Sequence, residues 1–257
     1  MKQTYQCTIL ERAKLSDKTI SLLIDASQIR EEILPGQFFH INCNTQDSYL
    51  RRPISVCDFE KGRLRLVFEI RGKGTAKLAK LNKGDAIDLL GPLGRGFHLP
   101  KSGKRAAVVG GGIGTFPLLF LTKSLSFPCD AFLGFRCEEQ IILADEFKSL
   151  PNVNLILCTD NGSCGYCGFA PSALTEALDA GKNYDIIYTC GPRIMMDCVA
   201  KTATEKKIPC QLSLEERMGC GIGACLVCAC QTKEKNGQSH MSRVCADGPV
   251  FWAEEIL

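Results

Sequence analysis

The sequence predicts a multi-domain fold: a small antiparallel β-barrel, a doubly wound parallel α/β domain and a small C-terminal domain. Three observations predict it. Short apolar runs separated by Gly, Pro, Asn and Asp fill about the first 100 residues. Apolar runs of strand length alternate with helical patterns from about residue 104. From Glu216 the composition shifts to Cys and Gly, so we expect domains at 1–100, 101–214 and 215–257.

The first domain is predicted to be a barrel because many short strands follow one another with little helix between them. Only one short helical segment, TAKLAKLN (75–82), interrupts the series. The candidate strands are TYQCTILERA (4–13), TISLLIDA (19–26), QFFHINCN (37–44), ISVCDFE (54–60), RLRLVFEIRG (63–72) and AIDLLGPL (86–93).

The second domain is predicted to contain a parallel sheet because strands and helices alternate regularly. The candidate strands are KRAAVVGGGIG (104–114), DAFLGFR (130–136), VNLILCTD (153–160), YDIIYTCG (184–191) and PCQLSLE (209–215). The candidate helices are TFPLLFLTKSL (115–125), EEQIILADEFKSL (138–150), APSALTEALDAG (170–181) and IMMDCVAKTATEKK (194–207).

Charge and hydropathy exclude several classes of protein. Lys and Arg (31) nearly balance Asp and Glu (28), and no basic stripe carries interleaved aromatic residues, so nucleic acid is not an expected partner. No apolar run approaches the ~18 residues of a membrane span. The N-terminus has scattered charges and no apolar stretch of a secretory signal. With sixteen cysteines, these features favour a cytoplasmic protein whose thiols stay reduced or bind metal.

The densest cysteines have the spacing of a metal cluster. Cys220, Cys225 and Cys228 are spaced C-x4-C-x2-C, and Cys245 follows at a distance. This is the plant-type pattern for a [2Fe–2S] cluster. The intervening glycines leave backbone N–H groups free to point at the sulfurs, which helps to set the reduction potential. Cys230 breaks the spacing and is left out of the ligand set.

Other interpretations of the cysteines stay open. Zinc sites prefer paired C-x2-C units or Cys with His, and His240 is the only nearby histidine. Clustered thiols without any metal would oxidise readily. A second C-x2-C pair, Cys164 and Cys167, could be a redox disulfide, half a metal site or two unrelated thiols in a glycine-rich loop.

Two glycine turns predict a nucleotide site at one edge of the parallel sheet. The turn in VVGGGIGTFP (108–117) follows a buried strand and opens a helix, where backbone N–H groups favour a pyrophosphate. Thr115 breaks the G-x-G-x-x-G pattern, and a tight turn without a ligand is the alternative. The second turn ends a later strand at the same edge. The candidate residues are Gly110, Gly111, Gly112, Gly114, Cys190, Gly191 and Pro192.

The first domain contains two stretches suited to a flavin nucleotide. LRRPISVC (50–57) places an Arg and a Ser on one strand, where they can contact phosphate and ring edges. In FEIRGKGTAKL (68–78), Gly74 and Thr75 would open a helix, which favours an anion. The alternatives are an exposed basic strand end for Arg51 and Arg52 and an ordinary turn for the glycines.

In order along the chain, RPIS, GxGT, GGGIGTFP and CGP resemble the ferredoxin–NADP reductase family, although Pro53 stands where that family commonly has an aromatic residue. RRPIS, GPLGRGF, LEERMGCGIGACLVCAC and CADGPVF more closely resemble the dihydroorotate dehydrogenase B electron-transfer subunits. The resemblance implies FAD, a [2Fe–2S] cluster and NAD. It implies cluster ligands at the four cysteines of the C-x4-C-x2-C pattern and flavin contacts at Arg52, Pro53, Ile54, Ser55, Glu69, Ile70, Arg71, Gly74 and Thr75.

The resemblance also implies a partner and a route for electrons. An FMN-containing catalytic subunit would oxidise dihydroorotate, and electrons would pass through the cluster and FAD to NAD+, in a heterotetramer with two of each subunit. No catalytic residues are expected in this chain, because His40, His98 and His240 are isolated. The composition does not decide between NAD and NADP. Arg136 could bind the 2′-phosphate of NADP, whereas Glu138 or Glu139 could accept a hydrogen bond from the 2′-hydroxyl of NAD. Rival functions are a flavin and iron–sulfur subunit of a hydrogenase, sulfite reductase or glutamate-synthase-like complex, and a zinc-stabilised binding module.

Overall fold

The computed structural model describes residues 3–43, 50–234 and 237–256. It divides into two compact units. The segments Glu215–Cys230 and Ser242–Pro249, which contain the four predicted cluster ligands, belong to the same unit as the N-terminal residues up to Gly96. The three predicted domain boundaries stay a prediction. The second unit comprises Phe97–Leu214, Gln231–Met241 and Val250–Leu257.

The first unit contains the predicted antiparallel barrel, which is closed in the order β1-β2-β5-β4-β3-β6. Alternating buried and exposed residues along the first strand place one face in the core. Asn44, at the end of the predicted third strand, lies outside the described residues. The elements are β1 (Gln3–Lys14), β2 (Thr19–Asp25), β3 (Phe38–Ile41), β4 (Arg52–Glu60), β5 (Arg63–Glu69), α1 (Lys73–Leu78) and β6 (Ala86–Leu93).

The second unit contains the predicted parallel sheet, extended to seven strands in the order β10-β9-β8-β7-β11-β12-β15. The last of these strands pairs antiparallel with its neighbour, which the sequence did not predict. The elements are β7 (Ala106–Gly111), α2 (Thr115–Ser124), β8 (Cys129–Phe135), α3 (Ala144–Lys148), β9 (Val153–Thr159), β10 (Tyr166–Cys167), α4 (Ala170–Asp179), β11 (Ile186–Cys190), α5 (Arg193–Glu205), β12 (Cys210–Ser213), β15 (Val250–Trp252) and α6 (Ala253–Ile256).

A long helix predicted over residues 138–150 is wrong. The chain forms a short 3-10 turn at Glu138–Gln140 and then the five-residue helix α3. Leu143, which precedes α3, has a φ of +65°, a left-handed conformation through which an α-helix cannot continue. The C-terminal segment adds a two-stranded sheet, β13 (Ala229–Lys233) with β14 (Ser239–Arg243). In the described ranges, no helix has the length and apolar character needed to cross a membrane.

Candidate flavin, cluster and nucleotide sites

The four predicted cluster cysteines lie where backbone N–H groups converge on their sulfurs. We call residues 219–228 the cluster loop; it supplies three of the cysteines, and the turn after β14 supplies Cys245. Each of the four sulfurs accepts at least one backbone hydrogen bond. The bonds join Cys220 N to Cys225 Sγ (3.4 Å), Ile222 N, Ala224 N and Cys225 N to Cys220 Sγ (3.4, 3.3 and 3.4 Å), Gly223 N to Cys245 Sγ (3.2 Å), and Cys245 N to Cys228 Sγ (3.4 Å).

The cysteines form two neighbouring pairs, Cys220 with Cys225 and Cys228 with Cys245. Burial disfavours ionisation of Cys220, but the backbone N–H groups aimed at its sulfur outweigh burial and lower its pKa to about 6. At Cys245, burial and the adjoining Cys228 sulfur raise the pKa to about 12. A [2Fe–2S] cluster needs two thiolates on each of two irons. The two pairs therefore fit its donor set.

In the described residues, no three His, Cys, Asp or Glu side chains are placed so as to hold a metal ion. The fit therefore rests on the chemistry of the donors. Four sulfurs share one region of the first unit, and each receives backbone N–H groups. Such donors stabilise the negative charge of thiolates and of a reduced cluster. The sequence predicted this environment from the glycines of the loop.

An ion pair that the sequence did not predict fastens the two parts of the cysteine site together. The guanidinium of Arg243 donates to both carboxylate oxygens of Asp247, from Nε at 2.8 Å and from Nη2 at 3.0 Å. The same side chain donates from Nη1 to the carbonyl of Gly223 at 3.1 Å. Hydrogen bonding to Arg243 lowers the pKa of Asp247 to about 2. Arg243 thus holds the cluster loop against the turn that carries Cys245.

The two predicted flavin stretches meet on the barrel. Arg52, the first residue of β4, extends over the first turn of α1, and its Nε lies 2.8 Å from where a Cβ of Gly74 would stand. Pro53 and Ser55 are half-buried and Ile54 is buried. The structure therefore brings Arg52 and the turn at Gly74 together.

Thr75 organises the second flavin stretch. Its Oγ1 accepts from the backbone N–H of Arg71 at 2.9 Å and of Gly72 at 3.2 Å, so it caps the start of α1. The side chain of Arg71 donates to Glu69 at 2.9 Å. At this predicted anion-favouring helix start, the Thr75 hydroxyl is thus engaged in shaping the turn. Ile70 is half-buried.

Arg51, unlike Arg52, is a structural residue. Its guanidinium donates to both oxygens of Asp88, at 2.9 and 3.0 Å, and to the backbone carbonyl of His40 at 3.1 Å. The alternative of an exposed basic strand end is therefore wrong for Arg51. The bidentate pair, which is mostly shielded from solvent, locks the start of the flavin strand to β3 and β6.

The two glycine turns of the nucleotide edge are in direct contact. Strands β7 and β11 are parallel neighbours with Gly110 opposite Cys190. A Cβ on Gly114 would stand 2.4 Å from the carbonyl oxygen of Cys190, and one on Gly111 would stand 2.9 Å from Pro192 Cδ. Only glycines permit this approach, which leaves backbone groups lining the carboxyl edge of the sheet. Gly112, at a φ of +53°, has open space where its Cβ would lie, and Gly191 completes the contact.

Sequence reasoning missed three residues of these sites. His40 is far in sequence from the cluster loop, and Arg243, although four residues from Asp247, bonds to Gly223 twenty residues away, so spacing alone gave no signal. His40 had one weak signal, since it is a histidine inside the apolar run QFFHI. The structure buries it fully.

Two family models match the chain. Residues 215–257 match the iron–sulfur cluster binding domain of dihydroorotate dehydrogenase B. Residues 6–98 match the oxidoreductase FAD-binding domain. These are the segments in which the structure gathers the cysteine sulfurs and the flavin stretches.

Solved structures support the fold. A structure of an NADH-dependent reduced ferredoxin–NADP oxidoreductase superposes with a TM-score of 0.83 at 30% identity, covering 99% of this chain and 91% of that chain. A ferredoxin–NADP+ reductase from Neisseria gonorrhoeae, with bound FAD and NADP, superposes with a TM-score of 0.65 at 21% identity, covering 79% of this chain and 91% of that chain. The second match bears on the fold alone.

Two relatives that match most of the chain carry the same name. An electron transfer subunit of dihydroorotate dehydrogenase B (NAD(+)) from Caldanaerobacter subterraneus subsp. tengcongensis is 40% identical over 223 residues, 87% of each chain. The subunit of the same name from Desulforamulus reducens is 39% identical over 263 residues, 100% of this chain and 99% of the relative. The chain therefore belongs to the family of dihydroorotate dehydrogenase B (NAD+) electron transfer subunits.

Proposed function

We propose that this chain carries electrons from dihydroorotate, oxidised at the FMN of a catalytic partner subunit, through a [2Fe–2S] cluster and FAD to NAD+. The observation that carries the proposal is the set of backbone N–H groups on the sulfurs of Cys220, Cys225, Cys228 and Cys245. These cysteines share a compact unit with the barrel that matches the FAD-binding domain family. A flavin exchanges one or two electrons, so it can link a one-electron cluster to a two-electron nicotinamide.

The predicted flavin contacts divide into binding and shaping roles. Arg52 is placed to neutralise a phosphate beside the turn at Gly74, and Ser55 offers a hydroxyl on the same strand. Pro53 and Ile54 lie between Arg52 and Ser55 on that strand. Thr75 with the segment Glu69–Arg71, including Ile70, shapes the turn through its capping bonds. We therefore expect Arg52 to contribute more to flavin affinity than Thr75.

The nicotinamide nucleotide is assigned to the carboxyl edge of the parallel sheet. The glycine turn at 110–114 and the turn at Cys190, Gly191 and Pro192 present backbone groups side by side. A pyrophosphate is favoured at such a helix start. We retain residues 101–214 as the nucleotide domain, 1–100 as the flavin domain and 215–257 as the cluster domain. NAD+ is the expected nucleotide because the relatives of this family carry NAD(+) in their names.

The partner is assigned to the outside of the cluster loop. Ile222, Leu226 and Val227 are exposed by 50%, 62% and 57%, an apolar patch beside the cysteines. Exposed apolar patches commonly mark protein interfaces. We propose that this patch docks the FMN-containing catalytic subunit, in a heterotetramer with two of each subunit. A cytoplasmic location, where thiols stay reduced or bind metal, suits a chain with sixteen cysteines.

The first experiment is anaerobic purification of the chain, alone and co-expressed with a candidate FMN subunit, followed by iron, sulfide and flavin analysis. We expect about two irons, about two sulfides and about one FAD per chain. The pair should reduce NAD+ when dihydroorotate is added. Zinc without flavin would contradict the proposal and restore the binding-module alternative.

The partner assignment has its own test. Leu226→Asp should weaken co-purification of the catalytic subunit, because it places a charge in the apolar patch. Ile194→Asp is the matched control, since Ile194 is 80% exposed but lies on α5 of the other unit. Equal retention of the partner by both variants would contradict the docking assignment, and light scattering of the purified complex tests the stoichiometry.

A second candidate keeps the cofactors and changes the electron source. The 30% identical structure comes from a different oxidoreductase, which the name of that protein connects with ferredoxin. Turnover of the co-purified pair with dihydroorotate favours the first candidate. The second candidate is favoured by a different result. In that case the protein with cluster and FAD bound is reduced by NADH but accepts no electrons from dihydroorotate with any matching FMN subunit.

A further inference from the structure

One buried ionisable side chain of the first unit has no role in the proposed function as stated so far. His40 lies on β3 and is fully buried. Neither of its ring nitrogens has a hydrogen-bond partner among the residues that the structure describes. Buried polar atoms in folded proteins nearly always have one. A residue that breaks this rule next to a functional loop calls for an explanation.

On one side, His40 adjoins the flavin strand. Strand β3 pairs antiparallel with β4, and His40 stands opposite Pro53 in the register. Residues directly opposite in an antiparallel pair project their side chains to the same face. The guanidinium of Arg51 also donates to the carbonyl of His40 at 3.1 Å. The backbone of His40 is therefore held rigidly to the strand that carries the predicted flavin contacts.

On the other side, the ring of His40 adjoins the cluster loop. A Cβ on Gly221 would stand 2.5 Å from His40 Nδ1 and 3.2 Å from Leu93 Cδ1. Gly221 has a φ of +73°, a left-handed conformation that glycine adopts without strain. The loop can thus pass directly over the imidazole only because this residue has no side chain.

The backbone of Cys220, the residue before Gly221, also interacts with the ring. Burial lowers the pKa of His40, while backbone carbonyls of Cys220 and Arg51 oppose that effect. A neutral imidazole still carries one N–H donor. A bond from that donor to the Cys220 carbonyl would fix the peptide that joins Cys220 to Gly221.

That peptide begins the run of N–H groups around one sulfur. Ile222, Ala224 and Cys225 donate to Cys220 Sγ at 3.4, 3.3 and 3.4 Å. Rotation of the preceding peptide would turn these donors away from the sulfur. Hydrogen bonds to the sulfurs are one of the main determinants of a cluster's reduction potential.

We propose that His40 is a positioning residue that acts through the Cys220–Gly221 peptide: it holds the N–H donors on the Cys220 sulfur and so sets the reduction potential of the cluster. The inference rests on the proposed function, because it requires the cluster to be bound. It gives the buried imidazole a partner and explains why glycine stands above it. The role needs a neutral ring with one donor and involves no change of protonation.

The test compares three variants of the holoprotein co-purified with its partner. His40→Phe keeps a ring of similar shape and removes the N–H. His40→Asn keeps an amide donor near the position of Nδ1. Ile41→Val is the matched control, because Ile41 is the next residue on β3 and is equally buried, but its side chain points to the opposite face. The measurements are a reductive titration of the cluster and its electron paramagnetic resonance spectrum.

We expect His40→Phe to disfavour cluster reduction about tenfold, or about 59 mV for a one-electron couple, since fewer N–H donors stabilise the reduced form. Its spectrum should also change. His40→Asn and Ile41→Val should stay close to the wild type. An unchanged potential and spectrum in His40→Phe would overturn the inference, as would an equal shift in Ile41→Val.

Two further outcomes are decisive. If His40→Phe loses its cluster during purification, the iron content of His40→Asn is the deciding measurement. Iron retained in His40→Asn supports a role for the side-chain donor, and iron lost from His40→Asn contradicts it. The iron and FAD content of the wild type tests the proposed function separately. A wild type that contains cluster and FAD while His40→Phe is unaltered leaves the proposed function standing and overturns only the role of His40.

Discussion

Two fully buried ionisable side chains, one in each unit, lie in opposite environments. Asp130, on β8 of the second unit, accepts from Arg105 at 2.6 Å, from Lys182 and Tyr184 at 2.7 Å each, and from Asn154 at 3.2 Å. His40, on β3 of the first unit, has no hydrogen-bond partner for its ring among the described residues. The hydrogen bonds of Asp130 are those of a structural network, whereas the unpaired ring of His40 is consistent with a role at the adjoining cluster loop.

The comparison predicts opposite consequences of substitution. Removing Asp130 leaves several donors without their shared acceptor, so the cost falls on the stability of the fold. Changing His40 breaks few bonds. The effect should therefore appear in the adjoining cluster loop and its cysteines and not in the free energy of unfolding. The largest expected effect is therefore on the free energy of unfolding, and the smaller effects concern the cluster site.

Asp130→Ala should destabilise the second unit by about 3 kcal/mol, at the low end for breaking a buried ion pair, because Arg105 and Lys182 are 40% and 43% exposed and can recover water. Thermal and urea unfolding measure it. Asp179→Ala is the control, since its ion pair with Lys206 is exposed at both ends and should cost less than about 1 kcal/mol. Equal losses in the two variants would contradict the structural role of Asp130.

Gly221→Ala should lower the free energy of unfolding by about 2 kcal/mol, because the added methyl combines backbone strain with crowding against His40. Gly84→Ala is the matched control: Gly84 has a φ of +92° in the same unit, with no atom within 4 Å of its Cβ position. The difference in unfolding free energy and in iron retention between the two variants isolates the crowding. If they lose equal stability and iron, His40 does not press on the loop.

The sequence was most informative where the signal is local. The spacing of Cys220, Cys225 and Cys228 predicted a cluster loop, and the short apolar runs between turns predicted the six strands of the barrel, but not their order in the sheet. It failed at residues 138–150, because apolar periodicity gave no sign that Leu143 adopts a positive φ. The environment of the His40 ring depends on Gly221, 181 positions away in the chain, which no local pattern records.

The polar partners of charged residues were equally hidden. Nothing near Arg51 in the sequence indicates that Asp88 pairs with it, so it looked no different from Arg52. Only the pairing of β3 with β4 and β6 brings the two charges together. Motif spacing thus indicates candidate cofactor residues, but it does not reveal the residues that hold a motif in place.

The stability contribution of Asp130 should also fall in acid. Burial raises the pKa of its carboxyl, but the hydrogen bonds from Lys182, Tyr184 and Asn154 outweigh burial, and the pKa is lowered overall. A lowered folded-state pKa gives stability that is fully present above the unfolded value of about 3.9 and is lost as pH falls through the folded value.

Urea unfolding at pH 7 and at two values below pH 4 measures that loss. The stability difference between wild type and Asp130→Asn should narrow in acid, by at most about 1.4 kcal/mol per pH unit. Asp179→Asn serves as the control and should follow the wild type more closely at every pH, because its carboxylate is exposed. A difference that stays constant or widens as the pH falls would contradict the lowered pKa of Asp130.

The smallest expected effect tests whether the cluster loop depends on geometry as well as on charge. Arg243→Lys keeps the charge but loses the two-oxygen contact with Asp247 and the bond to the Gly223 carbonyl. The free energy of unfolding should fall by about 1 kcal/mol or less, because the Arg243–Asp247 pair is partly exposed. A chelator should nevertheless remove iron faster from this variant than from the wild type. Arg193→Lys, which loses a single bond to Asp197, is the control and should lose iron at the wild-type rate. Equal rates of iron loss in the two variants would contradict a role for Arg243 in holding the cluster loop.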